Sequence, residues 1–220
     1  MKANTLISSS IKSIHPVEDG NKALEMMDQF RIHHLAIVKN NFYLGVISDK
    51  EIMSWNSEDD SIEEHLTNLA APYVKYNQHL FDIIEVLEKN NLSIVPVLDE
   101  KNHYLGVITS RKLLYSIAKS ATIQSPGGVI VLGMPDHDYS LTEIASIVES
   151  NNTKILSSYI ISKPNSTNIE VTIKLNKQEV TAIIKDFERH EYKVSGSYKD
   201  EEADGDYLER YESLMRFLNP

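Results

Sequence analysis

Tyr43-Leu44-Gly45-Val46-Ile47-Ser48 and Tyr104-Leu105-Gly106-Val107-Ile108-Thr109 are two copies of one phrase, and this repetition decides how the first half of the chain is read. Upstream, His34-Leu35-Ala36-Ile37-Val38 pairs with Ile94-Val95-Pro96-Val97-Leu98. The glycines are 61 positions apart and the upstream runs 60, so the second copy carries one extra residue in its turn, Asp99-Glu100-Lys101-Asn102. A fixed period of this length marks a duplicated structural unit.

Both copies carry the same succession of periods. Ala23, Leu24, Met26, Met27 and Phe30 fall at helical spacing, with Ile83, Ile84, Val86, Leu87 and Asn90 in their places in the second copy. That pattern predicts one apolar face on a helix of about three turns. A β-rich run follows (Leu35 to Val38, or Ile94 to Leu98), then a polar turn and a strand through Gly-Val-Ile. A closing helix ends each copy, Asp49 to Trp55 or Ser110 to Lys119. The unit reads strand–helix–strand–strand–helix. Between the copies, residues 56–64 hold five acids and no base, which reads as a solvated linker with a short helix start.

The 220 residues suffice for one large or two small domains. A formal net charge of -10 argues against a general binder of nucleic acid or anionic membrane, because both need a cationic surface. It leaves room for a local anion site. Cysteine is absent, so there is no disulfide, thiol nucleophile or thiolate metal site. The opening residues 1–6 lack a signal-peptide run, and no apolar stretch approaches the roughly 18 residues of a membrane span. A cytoplasmic protein is predicted. There is no Gly-x-Ser-x-Gly elbow, Walker loop, Gly-x-Gly-x-x-Gly or His-Glu-x-x-His, so no catalytic residue and no enzymatic activity are assigned. His33-His34 reads as a helix end and strand start. Asp136-His137-Asp138 are adjacent residues that cannot easily converge on one ion, and no metal site is assigned.

The repeat, with its Ile94-Val95-Pro96-Val97-Leu98-Asp99 and Tyr104-Leu105-Gly106-Val107-Ile108-Thr109 strands, resembles the CBS domain over roughly residues 1–120, as repeats of about 1–56 and 65–120. The resemblance implies a compact pair, or Bateman module, that binds an adenine nucleotide or related ligand and regulates an attached or partner activity. The family's ligand signature is Gly, two apolar residues, Ser or Thr, two variable residues, then Asp. Its hydroxyl can donate to a phosphate, the following helix N-terminus adds free N–H groups, and the carboxylate can accept from ribose hydroxyls. By this resemblance the nucleotide-binding candidates are Ser48, Glu51, Thr109, Arg111 and Lys112. Glu51 stands where Asp is expected and keeps the acceptor chemistry. Lys112 stands at the same place in the second copy, where an ammonium has three donors and no acceptor. Lys112 and Arg111 suit an anion instead. A nucleoside is therefore expected in the first site, through Ser48 and Glu51. Equally, Ser48 and Thr109 would serve as helix N-caps with no ligand at all.

After Lys119 the order changes, with Ser125-Pro126-Gly127-Gly128 as the boundary. Val129 to Met134 reads as a strand. Ser140, with Glu143 in capping-box spacing, starts a helix with Ile144, Ile147 and Val148 inward, and Asn151-Asn152 ends it. A strand follows with Ile155, Ser157, Tyr159 and Ile161 facing one way, then one alternating from Ile169 to Leu175. A helix over about 177–190 and a strand over 192–198 close the unit. The fold class expected is α/β and α+β: a tandem CBS-domain pair followed by a ferredoxin-like βαββαβ domain over 126–199. That order resembles an ACT domain, and the combination resembles acetoin-utilisation-type proteins. Ser140 takes the place of the usual ligand-loop glycine, so the domain is expected to pair subunits. Residues 200–206 form an acidic segment. Tyr207, Tyr211, Leu214 and Leu218 mark one face of a docking helix within 200–220. Two functions follow: a non-catalytic homodimeric ligand sensor, or an interaction module with empty clefts used for dimerisation or partner binding.

Overall fold

The computed structural model describes residues 1–67, 69–162, 164 and 166–198. The acidic segment and the expected C-terminal helix lie outside the described residues. Two compact units divide the chain, Met1–Ala118 and Lys119–Pro220.

The first unit contains both repeats. In the first, Ile14 runs parallel to Ile37 as a single bridge. Helix α1 (Gly20–Phe30), strands β1 (His34–Lys39) and β2 (Phe42–Ser48) and helix α2 (Asp49–Met53) follow. The second repeat has β3 (Val74–Lys75), α3 (Leu80–Lys89), β4 (Ile94–Leu98), β5 (Tyr104–Thr109) and α4 (Ser110–Ala118). Asp19 starts α1 by accepting from the Lys22 N–H at 2.7 Å. Ala23 and Met27 bury its apolar face. Asn40 and Asn41, at φ 52° and 69°, turn the β1–β2 hairpin in the left-handed region that Asn tolerates.

The repeats exchange their leading segments. Ala3 and Leu6 pack into the second repeat's core with Val74, Ile83, Val95, Val97 and Ile108. The Ser8 N–H donates to the Val107 carbonyl at 2.8 Å. In return, Ile62 is fully buried in the first repeat's core, and the Val46 N–H donates to the Ala70 carbonyl at 3.0 Å. The acidic linker is therefore solvated only in part: Ile62–His65 is a 3-10 turn anchored by its one aliphatic residue. This exchange explains the repeated glycine. A Cβ on Gly45 would lie 3.1 Å from the Ala70 oxygen, and one on Gly106 would lie 2.6 Å from Ile7. Gly106 also holds φ at +141°, which L side chains rarely adopt.

The second unit begins with α5 (Ala121–Gln124) and continues β6 (Val129–Pro135), α6 (Leu141–Ser150), β7 (Ile155–Ser162), β8 (Asn168–Leu175), α7 (Thr181–Arg189) and β9 (Lys193–Tyr198). The strands form one antiparallel sheet in the order β7-β8-β6-β9. Ile144, Ile147, Val148, Ile183 and Phe187 of the helices cover one face, against Ile130, Leu132, Val171 and Ile173. Ser140 caps α6 by accepting from the Glu143 N–H. One alternation differs from expectation. Ile155 pairs with Leu175 but Ser157 pairs with Lys174, so a bulge at Leu156 reverses the phase. Ile155 packs on the helix-side core, while Tyr159 and Ile161 lie on the opposite, open face.

The exchange predicts non-local effects. Leu6→Ala should cost about 2–5 kcal/mol, the usual range for a buried leucine. Hydrogen exchange should accelerate at Val95, Val97 and Ile108 before it does in β1 and β2. The reverse order would contradict the exchange.

Candidate functional site

The two signature positions have different surroundings. In the first repeat, the Ser48 hydroxyl accepts from the Glu51 N–H at 3.2 Å. Glu51 Oε2 accepts from both the Ser48 N–H and the Ser48 hydroxyl, each at 2.7 Å. This is a complete capping box on a helix of five residues. The acceptor expected to face ribose is therefore turned back onto its own helix. Beside it, Asp49 Oδ2 lies 2.7 Å from His33 Nδ1. Burial works against the Asp49 charge, yet the hydrogen bonds from His33 and the Lys50 backbone outweigh it and hold this carboxyl below its ordinary range.

In the second repeat the strand end opens into a cleft of about 200 Å³. Four stretches of the sequence build it: Ser8, Ser10 and Ile11 near the start of the chain, Phe30–Ile32 at the end of α1, Ser93, and Thr109–Arg111. Thr109 is buried, and its hydroxyl accepts from the Lys112 N–H at 3.0 Å. Ser110 spends its N–H on the Ser93 carbonyl at 3.0 Å. Arg111 lies over the Tyr115 ring at 5.6 Å. Arg31 reaches the cleft because α1 ends there in a left-handed turn, at φ 53°. Neither arginine forms an ion pair among the described residues, and no carboxylate lines the cleft. Lys112 does not line it. Its ammonium donates to the Ile7 carbonyl and ties the exchanged segment to α4.

The structure thus brings Thr109 and Arg111 together, places Lys112 behind them, and locks Ser48 with Glu51. Arg31 escaped the sequence reading because it belongs to the other repeat. Its only local signal was a residue just past the end of an amphipathic helix.

The wall between the repeats is a histidine clasp. The Ser93 N–H donates to His34 Nδ1 at 3.2 Å, with Ser93 Oγ 3.1 Å from the same nitrogen, and the His33 N–H donates to Ser93 Oγ at 2.9 Å. A backbone donor on Nδ1 puts the ring proton on Nε2. Burial lowers the His34 pKa despite the opposing charges of Asp49 and Glu51.

In the second unit, the trio Asp136-His137-Asp138 forms a 3-10 turn, and no group of three His, Asp or Glu poised for a metal occurs among the described residues. Glu143 does not reach back to Ser140. It accepts from the Tyr192 hydroxyl, and burial together with that carboxylate pushes Tyr192 up to about 12.

The family model described as CBS domain matches residues 3–58 and 66–119. The chain belongs to the CBS-domain family. The chain is 26% identical over 117 residues to a homoserine O-acetyltransferase of Methanocorpusculum labreanum, covering 53% of this chain and 24% of that protein. It is 21% identical over 114 residues to an inosine-5'-monophosphate dehydrogenase of Methanocaldococcus jannaschii, covering 51% and 23%. The chain spans about a quarter of the length of these curated relatives. Among solved structures, a CBS domain pair/ACT domain protein from Thermotoga maritima aligns at 14% identity with a TM-score of 0.49, over 55% of this chain and 99% of that one. The protein CBSX2 in complex with AMP aligns at 16% identity with a TM-score of 0.45, over 54% and 96%. No helix among the described residues is long and apolar enough to cross a membrane.

The clasp predicts a pH dependence. The folded-state pKa of His34 lies below the ordinary 6.5, so the unfolded chain binds the proton first. The clasp's stabilisation is intact above pH 6.5 and is lost as pH falls below it toward the folded value. His34→Asn, whose amide oxygen can replace Nδ1 as acceptor, should flatten urea-midpoint curves between pH 7 and 5. Parallel curves for the two proteins would remove the clasp from the explanation.

Proposed function

We propose that this chain is a non-catalytic regulatory protein whose CBS pair senses a small anionic ligand in the cleft of the second repeat. The family implies an adenine nucleotide as that ligand. The observation that carries the proposal is the convergence of Arg31 and Arg111 on Thr109 with no carboxylate among them. Arg31 and Arg111 both line this cleft, and an arginine side chain can hold an anion by charge-assisted hydrogen bonds. The Thr109 hydroxyl supplies a further donor. The sequence pointed to the first site, but Glu51 spends its acceptor on Ser48, and this moves the proposal to the second.

Because both repeats line the cleft, a ligand held by Arg31 and Arg111 contacts both at once. It stabilises whichever arrangement keeps those two groups together, by as much as it prefers that arrangement. The βαββαβ order of the second unit supports an ACT-like, ferredoxin-like domain. Ser140 acts there as a helix cap at the usual glycine position, which favours subunit pairing over amino-acid binding. A cytoplasmic homodimer is the working assembly. Exposed Phe81 on α3 and Leu114 on α4 support a second copy against the CBS pair. The internal engagement of Glu51 and Lys112 favours the second reading, an interaction module with empty clefts.

Calorimetric titration with AMP, ADP, ATP and S-adenosylmethionine separates the two readings. Binding is expected for at least one nucleotide, with a raised melting temperature. Arg31→Ala and Arg111→Ala should each weaken it by about 1.5–3 kcal/mol, the range for hydrogen bonds to charged groups. Glu51→Ala should leave affinity unchanged. Silence from all four ligands without a melting shift would favour the interaction module.

A further inference from the structure

The cleft at the end of β5 offers a ligand donors and little else. Its polar side chains are two guanidiniums and five hydroxyls, with no carboxylate, amide or imidazole among them. The hydroxyls of Ser8, Ser10 and Ser110 make no hydrogen bond among the described residues. Neither guanidinium makes one either, and Arg111 only lies over the Tyr115 ring. The other two hydroxyls are fixed in place. Thr109 Oγ1 accepts from the Lys112 N–H at 3.0 Å, and Ser93 Oγ from the His33 N–H at 2.9 Å. The cleft holds about 200 Å³.

We infer that this cleft recognises a bare phosphoryl oxyanion, such as inorganic phosphate or pyrophosphate, and does not read a nucleoside. The inference rests on the ligand reading of the same cleft and narrows it to one chemical group. A phosphoryl group presents only acceptor oxygens, which match guanidinium and hydroxyl donors and form charge-assisted hydrogen bonds with the former. A nucleoside makes the opposite demand. Ribose hydroxyls and an adenine amino group need acceptors to be told from other ligands, and a carboxylate is the group that accepts from both ribose hydroxyls. At the carboxylate's place in the signature stands Lys112, whose ammonium donates to the Ile7 carbonyl outside the cleft. Size points the same way. Clefts that enclose drug-sized molecules run to about 300–1,000 Å³. A cleft of about 200 Å³ has room for phosphoryl groups but not for a base and ribose beside them. The duplication supplies an internal comparison. The first copy reads Ser48-Asp49-Lys50-Glu51 where the second reads Thr109-Ser110-Arg111-Lys112, so two carboxylates give way to a hydroxyl and an ammonium. The donor-only character therefore belongs to the second strand end, and Arg31 from the first repeat adds to it. A nucleotide entering this cleft does so by its phosphate, with its nucleoside left outside.

The test titrates the full chain by calorimetry with inorganic phosphate, pyrophosphate, AMP and adenosine at one pH and ionic strength. Phosphate and pyrophosphate are expected to bind, AMP to bind within about tenfold of inorganic phosphate, and adenosine to give no heat. Arg31→Ala and Arg111→Ala should each weaken pyrophosphate by about tenfold or more, since each removes a charged hydrogen-bond donor. AMP binding more than about tenfold tighter than inorganic phosphate, or any binding of adenosine, overturns the inference and leaves the ligand reading of the cleft standing. Silence from all four probes overturns both. Pyrophosphate binding unchanged in both arginine variants overturns the inference by placing the anion elsewhere on the surface. Should an arginine variant fail to fold by circular dichroism, Ser10→Asp takes its place. It sets a carboxylate at the exposed mouth of the cleft, and pyrophosphate affinity should fall by about tenfold or more, with no change overturning the inference.

Discussion

The first unit depends on one exchange: each repeat lends its leading segment to the core of the other. Ser8 pairs with Val107, and Ala70 with Val46, at equivalent places in the two copies. Both crossings pass directly over a glycine, Gly106 in one copy and Gly45 in the other, because any side chain there would occupy the space of the visiting segment. Neither repeat has a complete core without the other. The cleft at the end of β5 is lined by both repeats, with Ser8 and Ser10 beside Arg31 and Thr109.

That arrangement changes the meaning of the net charge. A chain at -10 is a poor candidate for an anion binder as a whole. Its excess negative charge, however, lies in the linker 56–64 and in residues 199–212, which leaves the remainder balanced. Within the cleft two arginines meet no carboxylate. Lys112 is instructive, because its position suggests a phosphate ligand while its ammonium is held by the Ile7 carbonyl. A cation at the signature's carboxylate position thus ties down the exchanged segment, while its neighbour Arg111 lines the cleft.

The second unit shows how one residue redirects a surface. Strict alternation along β7 would put Ile155 on the same side as Tyr159 and Ile161. The bulge at Leu156 separates them, giving Ile155 to the core and the other two to the open face. Tyr159 and Ile161 come to lie exposed beside Thr172 and Glu170, a placement that local pattern alone does not announce.

Periodicity and repetition were enough to read the duplicated unit, its helices and hairpins, and the βαββαβ order of the second half. These depend on neighbours within a turn or a strand, where side-chain period and capping chemistry act directly. The exchange of segments, the burial of Ile62 in an otherwise acidic linker and the arrival of Arg31 at the cleft were decided only by tertiary structure. Each sets residues from separate segments against one another, and no local period or cap encodes which distant segment fills a core or lines a cleft.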